Sequence, residues 1–232
     1  MQSEVNGIFV TAHELKAPLS LMRQLALSLD PNDPAETREY QARMVSVSER
    51  ALRQVSDLSK VARLEEGLFT MEPVAVRGVC DEVASELQYL FRFNSKKLHV
   101  KYSNRHKLVI ANRDLLHSVV YNFCVNAIKY SNSSTASTLT VSDHKSDNIQ
   151  SVRIVIRDFG PSLPMDIYQK LAKNQLDAPT GISFRPDSSG LGLYIATKFS
   201  RFMNANVGAI RHRDGTSFFV ELPVSNQGTL FA

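Results

Sequence analysis

The sequence of 232 residues has no apolar run close to the length of about 20 residues that spans a bilayer, and no signal peptide opens it. Only two cysteines occur, Cys80 and Cys124, and each lies within an apolar helical pattern. This pattern favours buried free thiols in a reducing compartment over a disulfide framework. The net charge of +4 is mild and spread along the chain, so nothing indicates a nucleic acid partner. We expect a cytoplasmic location, with membrane contact only through a region preceding this sequence.

The first part of the chain has the pattern of a helical hairpin. Apolar residues recur at steps of three and four over 8–29 and again over 40–62. The segment 30–34, with two prolines, predicts the turn between the helices, and Gly67 is expected just past the second helix. A hairpin cannot bury its apolar seam alone, so we expect a homodimer that forms a four-helix bundle. The alternative is that the hairpin packs on the rest of its own chain.

From about Phe69 the pattern changes to a mixture of helices and strands. Helices are predicted over 76–93, 114–130 and 191–203, and strands over 98–102, 108–110, 152–157, 207–212 and 217–222. This mixture predicts an α/β two-layer sandwich. The expected domains are therefore a helical hairpin over 1–67 and a second unit over 68–232.

His13 begins the segment His13-Glu14-Leu15-Lys16-Ala17-Pro18-Leu19. The seam residues Ala12 and Leu15 put His13 at the edge of the hairpin seam, where its imidazole should be accessible. A neutral imidazole nitrogen is a nucleophile, and Glu14 could accept a proton or orient the ring. Because a surface histidine beside a glutamate is common, this segment alone does not define a site.

Asn122, Asn126 and Lys129 lie three or four residues apart, on one face of a predicted apolar helix. Carboxamide oxygens suit a hard cation such as Mg²⁺, and an ammonium group suits phosphate oxygens. The alternative is an ordinary helix with a polar outer stripe.

Two further stretches contain glycine beside groups that could bind a ligand. Asp158-Phe159-Gly160 follows a predicted strand, and a carboxylate there could accept a hydrogen bond from an amino group such as that of adenine. Ser189-Gly190-Leu191-Gly192-Leu193 opens a predicted helix, where exposed N–H groups and the helix dipole favour phosphate. A plain strand-to-turn junction and an ordinary helix start have the same local patterns.

In this order, the stretches together resemble the signature boxes of sensor histidine kinases of two-component systems. Residues 13–19 resemble the H-box, 122–131 the N-box, and 158–160 and 190–193 the two glycine boxes. Gly215-Thr216-Ser217-Phe218 is similar to the closing hairpin of the family. The resemblance covers nearly the whole chain and implies an ATPase domain of the gyrase and histidine kinase type.

The resemblance implies ATP- and Mg²⁺-dependent phosphorylation of His13, with Glu14 as its base, followed by transfer to an Asp of a response regulator receiver domain. The nucleotide-binding residues would be Asn122, Asn126, Lys129, Tyr130, Asp158, Gly160, Gly190, Leu191, Gly192 and Thr216. Among them, Asn126 would coordinate Mg²⁺, Asp158 would bind the adenine amino group, and Gly160 would leave room beside the base. Residues from about 161 to 189 would form a lid over the nucleotide.

Three positions depart from the family pattern. Ser162 and Ser188 stand where glycine is usual, and a serine at positive φ costs about 1 kcal/mol or more. Ala17 stands where Thr or Asn often positions the water that dephosphorylates the regulator, so we expect weak phosphatase activity. Because of the two serines, a degenerate kinase acting as a dimeric scaffold is an alternative, which the intact His13, Asn126 and Asp158 disfavour. Another ATPase of the same superfamily would lack the acceptor hairpin.

Overall fold

The computed structural model of the chain describes residues 16, 18–30, 32–103, 108–132, 135–146, 149–179 and 190–225. The described helices are α1 (18–27), α2 (Pro34–Ala62), α3 (Val76–Phe93), α4 (Arg113–Tyr130), α5 (Met165–Ala172) and α6 (Leu191–Phe202). The strands are β1 (Glu72–Val74), β2 (Leu98–Tyr102), β3 (Val109–Ala111), β4 (Ser137–Ser146), β5 (Ile149–Arg157), β6 (Asn206–His212) and β7 (Gly215–Pro223). None of the described helices has the length and apolar character needed to cross a membrane.

Five strands form one sheet in the order β2-β4-β5-β7-β6, while β1 and β3 form a separate antiparallel pair. Strands β2 and β4 are parallel, and the other neighbours are antiparallel. In β5 the side chains of Val152, Ile154 and Ile156 are buried, and Arg153 and Arg157 alternate with them. This period of two gives the sheet one apolar face, which a layer of helices covers.

Helices α3, α4 and α6 form that second layer, so the predicted α/β two-layer architecture is confirmed. Helix α4 contacts both α3 and α6, and its Phe123 ring stacks on Phe218 of β7 with 5.5 Å between the ring centroids. Cys80 and Cys124 lie in this core as buried free thiols, as predicted. Burial raises the pKa of the Cys80 thiol to about 12.

Helix α2 begins where its sequence provides a side-chain cap. The carboxylate of Asp33 accepts hydrogen bonds from the N–H groups of Ala35 and Glu36, and Pro34 occupies the first helical position. After Ala62 a single 3₁₀ turn follows, and Gly67 ends it at φ 67°. The chain turns before α2, where the N–H of Asp33 donates to the backbone oxygen of Asp30 at 3.1 Å, and Gly67 ends the 3₁₀ turn that follows the helix and not the helix itself.

The structure has three elements that were not predicted, β1, β4 and α5. Strand β4 is mostly polar, and over 137–145, where burial is described, the buried residues are Ser137, Leu139 and Val141. In α5 the side chains of Ile167 and Leu171 are buried in the core. The predicted lid was therefore too long, because residues 161–179 include a helix anchored in the core. Residues 180–189 lie outside the described part of the chain.

The second half of α2 packs on the α/β unit. Leu58 and Val61 lie against its core, and Phe69, just after the hairpin, contacts the edge of Phe202 with ring centroids 6.0 Å apart. The four-helix bundle is not confirmed, because the structure contains one chain. The domain boundary between residues 67 and 68 stays a prediction.

Candidate functional site

A cleft with a cavity volume of about 70 Å³ lies between α4, the start of α6 and the second half of α2. Its walls combine amide, cationic and glycine backbone groups with an apolar floor. The residues that line it are Arg50, Arg53, Gln54, Asp57, Tyr121, Asn122, Val125, Asn126, Lys129, Tyr130, Leu163, Ile167, Gly190, Gly192, Leu193 and Phe218. The cleft therefore brings together most of the predicted nucleotide-binding residues.

One wall of the cleft is the polar face of α4. Asn112 caps the start of this helix, where its side chain accepts a hydrogen bond of 3.1 Å from the N–H of Leu115. Asn122, Asn126 and Lys129 follow on the face that lines the cleft, as their spacing predicted. Among the described residues, none forms a hydrogen bond with the half-buried carboxamide of Asn126. That carboxamide is therefore available to a ligand in the cleft.

Asp158 and Thr216 form a buried pair behind the floor of the cleft. Asp158 Oδ1 accepts hydrogen bonds from the N–H groups of Thr216 at 3.1 Å and Gly160 at 3.3 Å. Thr216 Oγ1 accepts a bond of 3.0 Å from the N–H of Leu163, which lines the cleft. Asp158 is only 3% exposed and Thr216 only 2%. These bonds fix the carboxyl group in one orientation as an acceptor.

Position 160 requires glycine because another part of the backbone lies very close to it. A Cβ at this position would lie 1.9 Å from the backbone oxygen of Tyr130, at the end of α4. Two hydrogen bonds tie the same segment to α4, from the N–H of Phe159 to Ser131 Oγ at 3.1 Å and from the N–H of Asn132 to the Phe159 oxygen at 2.8 Å. The contact that demands glycine here is with the protein backbone, whereas the sequence suggested contact with a base.

Glycines also shape the start of α6. Gly190 caps this helix at φ 70°, a left-handed conformation that glycine adopts without strain. A Cβ on Gly192 would lie 2.7 Å from Asn122 Oδ1, so this glycine lets α6 approach α4 closely. The side chain of Leu191 is fully buried in the core, so only the backbone of this predicted binding residue can contact a nucleotide.

Ser162 carries no left-handed strain. The non-glycine residues with positive φ in the described part of the chain are Ser95, Asn174 and Asn204. The Ser162 hydroxyl donates a hydrogen bond to the backbone oxygen of His212 on β6. Serine therefore fits this position, where the family usually has glycine.

Several residues named from the sequence lie outside the described part of the chain. They are His13 and Glu14, together with Ala17 and Ser188. Their roles stay predictions.

The sequence did not predict that α2 forms one wall of the cleft. Arg53 pairs with Glu86 of α3, and its guanidinium lies 4.0 Å from the centroid of the Tyr121 ring. Asp57, one turn further, is buried against α4. The two residues are four apart and so share one helix face, but that spacing does not say what the face contacts.

Residues 111–226, half of the chain, match the family described as histidine kinase-, DNA gyrase B-, and HSP90-like ATPase. The chain belongs to this family of ATPases. Its relatives are sensor histidine kinases, which confirms the predicted resemblance. The adaptive-response sensory kinase SasA of Synechocystis sp. is 29% identical over 234 residues, which cover 92% of this chain and 57% of SasA.

Solved structures agree on the fold. The histidine kinase AdeS of Acinetobacter baumannii has a TM-score of 0.63 at 18% identity, covering 92% of this chain and 98% of that one. ShkA, solved at full length in complex with AMPPNP, has a TM-score of 0.60 at 21% identity, covering 97% of this chain and 46% of that one. The chain spans between 20% and 61% of the length of the curated relatives that it matches.

Proposed function

We propose that this chain is the catalytic core of a sensor histidine kinase, which binds ATP and transfers its γ-phosphoryl group to His13. One observation carries the proposal. A single cleft combines the amide and ammonium groups of α4 with the glycine start of α6, and the buried Asp158 lies behind its floor. The similar fold of ShkA, solved with the ATP analogue AMPPNP, supports a nucleotide as the ligand.

Different groups in and behind the cleft suit the adenine, the phosphates and the Mg²⁺ ion. The fixed carboxylate of Asp158 accepts a hydrogen bond from the adenine amino group. Lys129 and the backbone N–H groups at the start of α6 bind phosphate oxygens. Asn126 fits Mg²⁺, because its half-buried carboxamide lines the cleft without a hydrogen bond to the described residues. Bound Mg²⁺ would neutralise charge on the phosphates.

Transfer to His13 follows from positioning and charge neutralisation. A neutral imidazole nitrogen of His13 attacks the γ-phosphorus and forms an N–P bond. The bond from that phosphorus to the bridging oxygen breaks, and ADP leaves with its electron pair. Glu14 accepts the proton that the imidazole loses. An Asp carboxylate of a response regulator receiver domain then attacks the phosphorus and the N–P bond breaks. The nitrogen of His13 keeps the electron pair of that bond and takes the proton back from Glu14, which restores the neutral imidazole.

Exposed apolar side chains on the hairpin support a homodimer. Leu19 of α1 is 57% exposed and Leu27 is 74% exposed, and Leu52 of α2 is 67% exposed. Burial of such side chains against a second hairpin gives the four-helix bundle that would present His13. The scaffold alternative is not favoured, since Ser162 fits its position without strain.

The test is phosphorylation with Mg²⁺ and γ-labelled ATP. Wild type should acquire label, and His13→Gln should not. His99→Gln is the matched control, because His99 is an exposed histidine on β2, away from the cleft. Equal labelling of wild type and His13→Gln would contradict the proposal.

Weak phosphatase activity is part of the proposal, since Ala17 has no polar group to position a water molecule. Unphosphorylated protein added to a phosphorylated receiver domain should leave most of the phosphate in place. Ala17→Thr should accelerate its loss. Rapid loss with the wild-type protein would contradict this assignment.

A further inference from the structure

Helix α2 carries a buried carboxylate that has no role in the mechanism above. Asp57 is 3% exposed, and Oδ1 accepts a hydrogen bond of 2.8 Å from Ser118 Oγ of α4. Lys60 Nζ lies 3.7 Å from the same oxygen. A buried charge is costly unless it is paired and hydrogen-bonded, so these partners offset the burial of Asp57.

The second oxygen of Asp57 contacts the N-box. Asn122 Nδ2 donates to Asp57 Oδ2 at 3.4 Å and to the backbone oxygen of Ser118 at 2.8 Å. A carboxylate oxygen and a backbone carbonyl oxygen both accept hydrogen bonds, so Asp57 and Ser118 together select the amide nitrogen of Asn122 and not the amide oxygen. Asn122 Oδ1 then lies beside Gly192, at the start of α6.

We propose that Asp57 is a positioning residue of the nucleotide site, which holds the Asn122 carboxamide with its oxygen directed toward the phosphate end. This inference rests on the proposed function, because it assumes that the cleft binds ATP. Asp57 belongs to the hairpin and Asn122 to the α/β unit, so the contact exists only while α2 packs on α4. The position of the hairpin and the geometry of the nucleotide site are thereby coupled.

Neighbouring contacts fix α2 in the register that this contact requires. Arg53, four residues earlier, pairs with Glu86 of α3 and lies over the Tyr121 ring of α4. Glu86 also lies 3.3 Å from the imidazole of His117. Two turns of α2 are thus held to α3 and α4 on one face.

The test compares Asp57→Asn with wild type by nucleotide binding. Asparagine keeps the size of the side chain but can donate as well as accept, so it no longer adds to the orientation of Asn122 that the backbone oxygen of Ser118 also holds. We expect the dissociation constant of Mg²⁺-ATP to rise about fivefold to tenfold. The dissociation constant of adenosine, which lacks phosphates, should stay unchanged. Glu49→Gln is the control, since Glu49 is an exposed acid on the same helix outside the cleft.

A double-mutant cycle separates positioning from a general structural role. In an Asn122→Ala background, Asp57→Asn should have no further effect on ATP affinity. An unchanged ATP affinity of the single variant, an equal loss for adenosine, or a full effect in that background would each overturn the inference. Wild type that binds no nucleotide would contradict the proposed function itself and this inference with it.

Discussion

Replacement of Gly160 by alanine tests how tightly the first glycine box is packed. The new Cβ would lie 1.9 Å from the Tyr130 oxygen and 2.7 Å from the Tyr130 carbonyl carbon. Ordinary contacts between carbon atoms are about 3.5 to 4 Å, so one of the two backbones has to move by more than 1 Å. Side-chain movement cannot relieve the contact, because both of these Tyr130 atoms belong to the backbone.

That movement stretches the hydrogen bonds of the segment, including the one from the Gly160 N–H to Asp158 at 3.3 Å. One or two weakened hydrogen bonds at about 1 kcal/mol each, with about 1 to 2 kcal/mol of packing strain, give a destabilisation of about 2 to 4 kcal/mol. The urea midpoint should fall by about 1 to 2 M at a typical slope. ATP affinity should fall as well, since the carboxyl group of Asp158 loses its fixed orientation.

Gly78→Ala is the matched control. A Cβ at position 78, within α3, would meet no atom within 4 Å. Alanine is the better helix former by about 1 kcal/mol, so this variant should be as stable as wild type or slightly more stable. A Gly160→Ala protein that unfolds at the wild-type urea midpoint would refute the packing argument.

Two further predictions follow from burial. Cys80 and Cys124 should not react with a thiol reagent in the native protein and should both react in urea, because burial raises the pKa of both thiols. A rapidly reacting native thiol would contradict the fold. Burial lowers the pKa of His117 below its ordinary value, so the unfolded chain binds more protons and stability falls as the pH drops below about 6.5. His117→Gln should make the urea midpoint depend less steeply on pH between about 7.5 and 5. An equally steep dependence in the variant would show that His117 does not cause the loss of stability.

Elements with a regular apolar period were predictable from the sequence. Helix α3 (Val76–Phe93) and strand β2 (Leu98–Tyr102) have the predicted bounds, because in each the apolar spacing reflects one face that packs against the core. Strand β4 was not predicted because its hydrogen bonds to β2 and β5 stabilise a mostly polar segment. Pairing with distant strands is not encoded in the local pattern of a segment.

The residues of the candidate site also differ in whether the sequence could predict them. Asn122, Asn126 and Lys129 could be assigned to one surface because helical spacing alone brings them together. The part played by Asp57 depends on where α2 packs, and no local pattern specifies that contact. Gly160 was predicted from its motif, but its contact with Tyr130 requires the end of α4 and the end of β5 to meet in space.

In the proposed reaction the γ-phosphoryl group of ATP becomes bonded to a nitrogen of His13. The most direct measurement is the chemical stability and position of the label after incubation with Mg²⁺ and γ-labelled ATP. We expect label that is lost in acid, retained in alkali and recovered on the peptide that contains His13. Acid-stable label, label on another peptide, or a wild-type protein that dimerises but takes up no label would contradict the proposed reaction.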